Sequence, residues 1–453
     1  MEHLTPQIIA NITGGDYVGD NGARDSKIEG AVRDNRDVKP GNLFVCIQGA
    51  RADGHSFANS SYDSGAACCL AEHELRDAKG PYVLVKSTLE AIKAIGKYYR
   101  SQFSIPVIGV TGSVGKTTAK EMIASVLEER FSVLKTQENQ NNELGVPLTL
   151  LSLGPKYGAA VVEMGISDFG EMSRLADMVR PVICVMTKIG CSHLETLGDL
   201  NGVLKAKSEI FSFMKPDGIA IVNGDDELLR EYDPGIRKIT FGAGAHNSYR
   251  AEKVLAEGIS SVNLEIVSDT GRFSVKIPSY GSHLALAALS AAAAGRLLGL
   301  TDEEIKRGLL SYKPVGGRSS VRDTGYITLI NDCYNANPNS VRSAITSLSA
   351  LPGRRVAVLG DMLELGEQSE ELHRETGVFA ARNGVSCLIC CGESAVYIYE
   401  GYISAGGEDM WFFPGKAELT AALPELIEKG DAVLVKASHG MKFEELMPVL
   451  EGL

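Results

Sequence analysis

The chain has 453 residues, 44% of them hydrophobic and 23% charged, with a formal net charge of −12. That length exceeds what one hydrophobic core serves, so roughly two to four domains are expected. The composition is that of an ordinary globular protein, and the acidic balance excludes a general binder of nucleic acid or anionic membrane.

The opening residues MEHLTPQIIANITGG carry neither a basic leader nor an apolar signal core, which makes the cytoplasm the expected location. In the first hundred residues, NLFVCI, GAACCLAE and YVLVKS read as short strands, and residues 88–103 read as an amphipathic helix. Nine cysteines sit mostly in apolar runs. Cys387, Cys390 and Cys391 lack a second pair at zinc-like spacing, so they read as reduced strand residues.

The stretch IPVIGVTGSVGKTTAKEMIASVL follows. Ile105 to Val110 is an apolar strand, and a helix is expected from Thr118 onward, with Met122, Ile123, Val126 and Leu127 on one face. Between them lie Thr111, Gly112, Ser113, Val114, Gly115, Lys116 and Thr117. The glycines let backbone N–H groups turn toward an anion, and the helix start adds partial positive charge. Lys116 would reach the β- and γ-phosphates, with the Thr117 hydroxyl on magnesium. The common P-loop pattern requires glycine at position 110, which is Val110 here, so the loop belongs to a variant subfamily.

Further strands are predicted at AAVVEMG, VICVMTKIG and GIAIVNGDD, alternating with helices, the pattern of a mostly parallel sheet. Glu163 closes the first of these runs, where a carboxylate beside a P-loop can ligand magnesium. His193 follows the next strand and emerges on the same edge. From Leu200, about 100° per residue puts Val203, Leu204, Ile210, Phe211 and Met214 on one helix face. Lys207 falls near the middle of that face and Lys205 on the opposite side. A buried lysine either becomes a neutral amine, able to add carbon dioxide and form an anionic carbamate, or snorkels to the helix edge; helix geometry leaves both open. The alanine-rich LALAALSAAAAGRLLGL is too short and small-residued for a membrane span and fits a helix buried on a sheet. A third unit, after the KPVGGRSS hinge, carries strands at ITLINDCYNA, RRVAVLGDM, VSCLICCGE and DAVLVKAS. The reading is an α/β chain of three domains, 1–103, 104–314 and 315–453.

These residues resemble the ATP-dependent Mur ligases of peptidoglycan synthesis. TGSVGKTT is similar to the family's loop, whose spacing departs from the common P-loop in the same way. TQENQNNELGVPLTLL, VVEMGISDFGEM and AKSEIF resemble its central motifs. NDCYNANPNS, VLGDMLELGEQSEELH and DNRDVKPGNLFVCIQGARADGHSFA also match it, so the resemblance runs nearly end to end. It implies an N-terminal UDP-substrate domain, a central P-loop mononucleotide-binding domain and a Rossmann-like C-terminal domain. It implies ATP and two magnesium ions as cofactors, with Thr117 and Glu163 on one ion and Glu163, His193 and carbamylated Lys207 around the other.

By the same resemblance, residues 111–118 (Thr111 to Thr118), Asn223, His283, Arg318, Asp332 and Asn335 would contact the nucleotide. Asn35, Arg36, Asp53, His55, Asn141, Asn142, Tyr334, Asn337 and His439 would contact the substrates. The implied substrates are a UDP-N-acetylmuramoyl-tripeptide and D-alanyl-D-alanine, joined by a monomer without nucleic-acid or membrane partners. Four positions depart from the family pattern: Leu284 and Ala287 stand where two asparagines are usual, His439 where arginine is, and Asn35 where serine is. The other readings weighed are a different Mur-type amide ligase, a nucleotide-dependent regulatory module that no longer ligates, and a plain ATPase or kinase.

Overall fold

The computed structural model describes residues 1, 3–49, 52–316 and 320–453. Three sheets organise it, and each is mostly parallel. The first has five short strands, in the spatial order Asp16–Val18, Tyr82–Leu84, Cys68–Ala71, Asn42–Val45, Gly30–Val32, with only the first of these antiparallel to its neighbour. The three strands expected here are present; Asp16–Val18 and Gly30–Val32 were not foreseen, being only three residues each.

The central sheet has nine strands. Val107–Thr111 lies between Ala159–Glu163 and Ile183–Met186, and Ile219–Asn223 pairs with the latter, all in parallel. Val, Ile and Ala fill these strands because both faces are buried, as parallel sheets require. The chain leaves the P-loop strand toward one side and later returns to the other, so the strand's C-terminal end is a topological switch point, where α/β sheets bind ligands. The far edge is different: Tyr249–Glu257, Ser261–Ser268 and Gly271–Ile277 form an antiparallel extension that the sequence reading did not contain. The alanine-rich segment forms the helix Leu284–Leu297, almost wholly buried against the helix Lys116–Leu127 and the sheet. Among the described residues no helix is long and apolar enough to cross a membrane.

The third sheet has six strands, and Thr328–Asn331, Ala432–Lys436, Arg355–Gly360 and Cys387–Cys391 form its parallel centre. All nine cysteines are unpaired; six lie in strands, while Cys46, Cys191 and Cys333 lie just outside them.

The helix Thr88–Arg100 ties the first sheet to the second. Its apolar face joins a core continuous with the central sheet, and its Lys93 Nζ lies 3.1 Å from Glu143 of the central unit. The third unit docks through the Tyr280 hydroxyl, which donates to the Ser347 carbonyl. The three sheets thereby bring their strand ends around one space.

Candidate active site

The phosphate-binding loop is shaped by two glycines. Gly112 has φ +138°, and a Cβ there would sit 2.1 Å from Thr187 Oγ1, so only glycine lets the loop approach the neighbouring strand end. Gly115, with φ +83°, turns the chain into the helix, which begins at Lys116, two residues before the expected Thr118. Ser113 Oγ donates to the Gly190 carbonyl and accepts from the Gly190 N–H, each at 3.0 Å, which fastens the loop to the segment after Ile183–Met186. Lys116 Nζ donates to the Gly112 carbonyl at 2.8 Å, folded back over its own loop.

Behind the loop lies Glu163. The Thr117 hydroxyl donates to its Oε2 and Asn141 Nδ2 donates to its Oε1, both at 2.8 Å. The carboxylate is 1% exposed and forms no ion pair among the described residues. Burying an anion without a cation is costly, and two hydrogen bonds answer only part of that cost. Hydroxyl and carboxylate oxygens are also the donors a magnesium ion prefers. The residues at Thr117 and Glu163 therefore fit that ion.

Lys207 presents the opposite case. The predicted helix runs Leu200–Ser208 and then tightens into a 3-10 segment, Glu209–Phe213, yet the face is as expected: Lys207 is 1% exposed and Lys205 exposed. Burial, and next the positive charge of Lys116, hold the Lys207 amine well below its ordinary proton affinity, with Glu171 opposing them. This lysine is buried rather than snorkelling, and the neutral amine is the form that adds carbon dioxide. His193 has a left-handed backbone, φ +54°, and its Nδ1 lies 2.6 Å from Glu364 Oε2 of the third unit.

A cavity of about 820 Å³ joins the loop, Glu163 and His193; Lys207 is not among the residues that line it. The P-loop contributes Ser113, Val114, Gly115, Lys116 and Thr118 to its wall, and Asn141, Asn142, Glu163, His193, His283, Asp332, Tyr334, Asn335 and Asn337 line it as well. Thr111, Gly112 and Thr117 are not among the lining residues, and both threonines are buried. His283 is half-buried, its Nδ1 is closed from solvent without a partner, and burial lowers its proton affinity. Asn142 and Asn337 also cap the helices Gly145–Leu150 and Pro338–Ser349. Ile47, Gln48, Glu72, Thr88 and Leu89 close the cavity from the N-terminal side, so all three units contribute.

Other expected residues lie elsewhere. Asn223 is buried at a strand end, its Oδ1 accepting from the Asp225 N–H, and lines neither large cavity. Asn35 and Arg36 also line neither, and Arg36 is exposed, paired with Asp34 at 2.5 Å. His439 is exposed, its ring 5.5 Å from that of Tyr334. Arg318 lies outside the described residues. Asp53 and His55 line a second cavity of about 690 Å³ with His73 and Arg76. His55 Nε2 accepts the Glu72 N–H at 2.9 Å, so its proton is on Nδ1, 2.6 Å from Asp53 Oδ1. A metal on Nδ1 would need that proton gone while Nε2 still faces a donor, which a neutral imidazole does not allow. The Asp53, His55 and His73 group is thus a poor metal set, and His55 serves to hold Asp53 in place.

Sequence reasoning passed over Lys436, which is 3% exposed, sits 2.5 Å from Asp332 Oδ2 and donates to the Asn335 carbonyl at 2.9 Å. It ends the apolar run DAVLVK as Glu163 ends AAVVE, and that shared signal could have found it.

Comparison with known proteins agrees with this geometry. The Mur ligase family, catalytic domain, matches residues 27–100; the Mur ligase middle domain matches 110–295; and the Mur ligase, glutamate ligase domain, matches 317–439. The chain belongs to the Mur ligase family. Among relatives of this Mur ligase, the UDP-N-acetylmuramoyl-tripeptide–D-alanyl-D-alanine ligase of Bacillus subtilis is 36% identical, over 93% of this chain and 92% of its own. The Escherichia coli ligase of the same name is 35% identical over 100% and 99%. The crystal structure of MurF from Acinetobacter baumannii aligns with a TM-score of 0.89 at 30% identity, covering 99% of both chains. MurF ligase from Thermotoga maritima in complex with ADP aligns at 0.82 and 29% identity, covering 94% of this chain and 97% of that one.

Proposed function

We propose that this Mur ligase, an ATP-dependent amide ligase, joins D-alanyl-D-alanine to UDP-N-acetylmuramoyl-tripeptide in peptidoglycan precursor synthesis. The observation that carries the reading is the single cavity in which a P-loop, the buried carboxylate of Glu163 and His193 meet residues of all three units. Relatives of that activity span nearly the whole chain, which supports it further.

In this reading Lys116 and the P-loop N–H groups bind the β- and γ-phosphates, and the tripeptide carboxylate is aligned on the γ-phosphorus. Its oxygen forms the new P–O bond as the bridge to ADP breaks. The acyl phosphate then receives the dipeptide amine at its carbonyl carbon; the amine loses a proton and phosphate departs. Thr117, Glu163, His193 and carbamylated Lys207 would hold two magnesium ions, which when bound neutralise the anions brought together. Lys207 would gain its carboxylate when its neutral amine attacks carbon dioxide and releases a proton. Asp332, anchored by Lys436, and His283 would meet the nucleotide from the C-terminal side, and Asp53, His73 and Arg76 would meet the UDP-sugar end. Domain limits of 1–103, 104–314 and 315–453, a monomeric state and a cytoplasmic location belong to the same proposal.

The test is ligation with ATP, magnesium, D-Ala-D-Ala and the UDP-tripeptide in its lysine and diaminopimelate forms. Product heavier by the dipeptide less water, with equal phosphate, is the expected result. Phosphate without product would mean an ATPase or a different amine, and no phosphate from folded protein would overturn the reading.

A further inference from the structure

His193 and Glu364 meet across the boundary between the central and C-terminal units. The segment carrying Glu364 runs along the loop after His193: the Glu195 N–H points at the Glu364 carbonyl at 3.5 Å, and Gln368 Nε2 lies 3.5 Å from the Gly198 carbonyl. The Leu363 N–H is held by Ser438 Oγ at 2.9 Å, which fixes the segment to the end of the strand Ala432–Lys436. Both partners have left-handed backbones, φ +54° at His193 and +64° at Glu364. That conformation is uncommon outside glycine, and its presence on both sides of one contact marks the contact as held in place by its surroundings.

The ring itself is divided between two environments. Nδ1 is buried under the C-terminal unit, 2.6 Å from Glu364 Oε2 but turned off the line of a hydrogen bond. Nε2 has no hydrogen bond among the described residues, and His193 lines the cavity beside Glu163 and Lys116. A carboxylate that accepts a hydrogen bond from the N–H of one imidazole nitrogen fixes the tautomer and leaves the other nitrogen's lone pair free for a metal.

We propose that Glu364 is a positioning residue for the metal site: delivered by the C-terminal unit, it holds the proton on His193 Nδ1 and presents Nε2 to the cation. The site is then complete only when the C-terminal unit is docked, which ties cation binding to closure. This rests on the reading of His193 as a metal ligand given above.

The experiment titrates the full-length enzyme with Mn2+ in the presence of ADP, counting bound ion by electron paramagnetic resonance, with melting temperature recorded alongside. Variants H193A, E364A and E364Q are compared with wild type. The expected result is a roughly ten- to hundredfold weaker Mn2+ affinity in E364A at the site that H193A also weakens. Partial recovery is expected in E364Q, whose amide oxygen still accepts the Nδ1 proton, with unchanged melting. If H193A weakens binding and E364A does not, the Glu364 role is overturned while the His193 ligand stands. If neither variant alters binding, the ligand reading itself falls, and the proposal with it. An E364A chain with lowered melting and uniformly weakened binding at both sites would show a merely structural contact.

Discussion

Lys116 acts on Lys207: after burial, the charge of the P-loop lysine is the largest influence lowering the proton affinity of the Lys207 amine. The sign of the consequence is definite. The unfolded chain offers an ordinary lysine, which binds a proton up to about 10.5, whereas the folded chain binds it only at lower pH. Between those two values the unfolded state holds the extra proton, so stability rises with pH and levels off above the unfolded value. K207M removes a buried amine while keeping its bulk. It is expected to flatten this pH dependence and raise the melting temperature at neutral pH by about 2–4 °C, the effect of roughly 1 kcal/mol in a domain of this size, while ligation is lost. Calorimetry across pH checks this, and an unchanged or lower melting temperature would refute it. Labelling with 13C-bicarbonate should give a carbamate carbonyl signal in wild type that K207M lacks.

Glu163 receives one hydrogen bond on each oxygen, from Thr117 and from Asn141. Replacing the carboxylate by an amide, E163Q, puts an N–H against one of those donors and removes the negative charge. The expected loss in kcat is about 10²–10³-fold, the few kcal/mol that a metal's charge supplies. N141A leaves the carboxylate in place but frees its orientation, so magnesium half-saturation should rise about tenfold with kcat at saturating magnesium nearly kept. Equal kcat losses in both variants would count against separate roles.

The Lys436–Asp332 pair is almost closed from solvent, and the ammonium also donates to the Asn335 carbonyl. K436M removes the ammonium paired with the Asp332 carboxylate and should destabilise the C-terminal domain by up to about 3–5 kcal/mol. The double variant D332N/K436M, with both charges of the pair removed, should recover much of that loss. Denaturant titration of the three proteins decides it; a double variant no more stable than K436M would mean the packing of the lysine chain, not the charge, is what matters.

Much of this was legible in the residues because it is local. Apolar runs of Val and Ile named the parallel strands, and a carboxylate at the end of such a run, Glu163, follows from strand direction alone. Lys207 was readable because helix periodicity turns a residue number into a side of the helix. Contacts between distant segments were not. Glu364 stood within a motif already noted, but its meeting with His193 joins residues far apart in sequence through two left-handed backbones that no residue pattern announces. The strands Tyr249–Glu257 to Gly271–Ile277 were missed because the edge of the sheet is half-exposed and its charged positions break the apolar runs. Asn35 and Arg36 rested on a motif match, and chain direction at a surface turn takes them away from both cavities.

His283 bears on how the nucleotide base is read. The helix that follows it offers Leu284 and Ala287, both buried and apolar, where amide side chains would have supplied paired donors and acceptors. The polar groups nearby are committed: Asn335 Oδ1 accepts from the Ala336 N–H, Asn337 caps its helix, and Lys436 is held by Asp332. His283 lines the cavity with its Nδ1 buried and unpartnered, and burial favours the neutral ring, able to donate or accept. One hydrogen bond to a neutral group is worth about 0.5–1.5 kcal/mol. H283A should therefore raise the KM for ATP about three- to tenfold with little change in kcat, and should narrow any preference for ATP over GTP by the same factor. Steady-state rates with both nucleotides measure this directly. A KM for ATP that H283A leaves unchanged would mean that the base is read by backbone and shape alone, and that the histidine merely fills the wall.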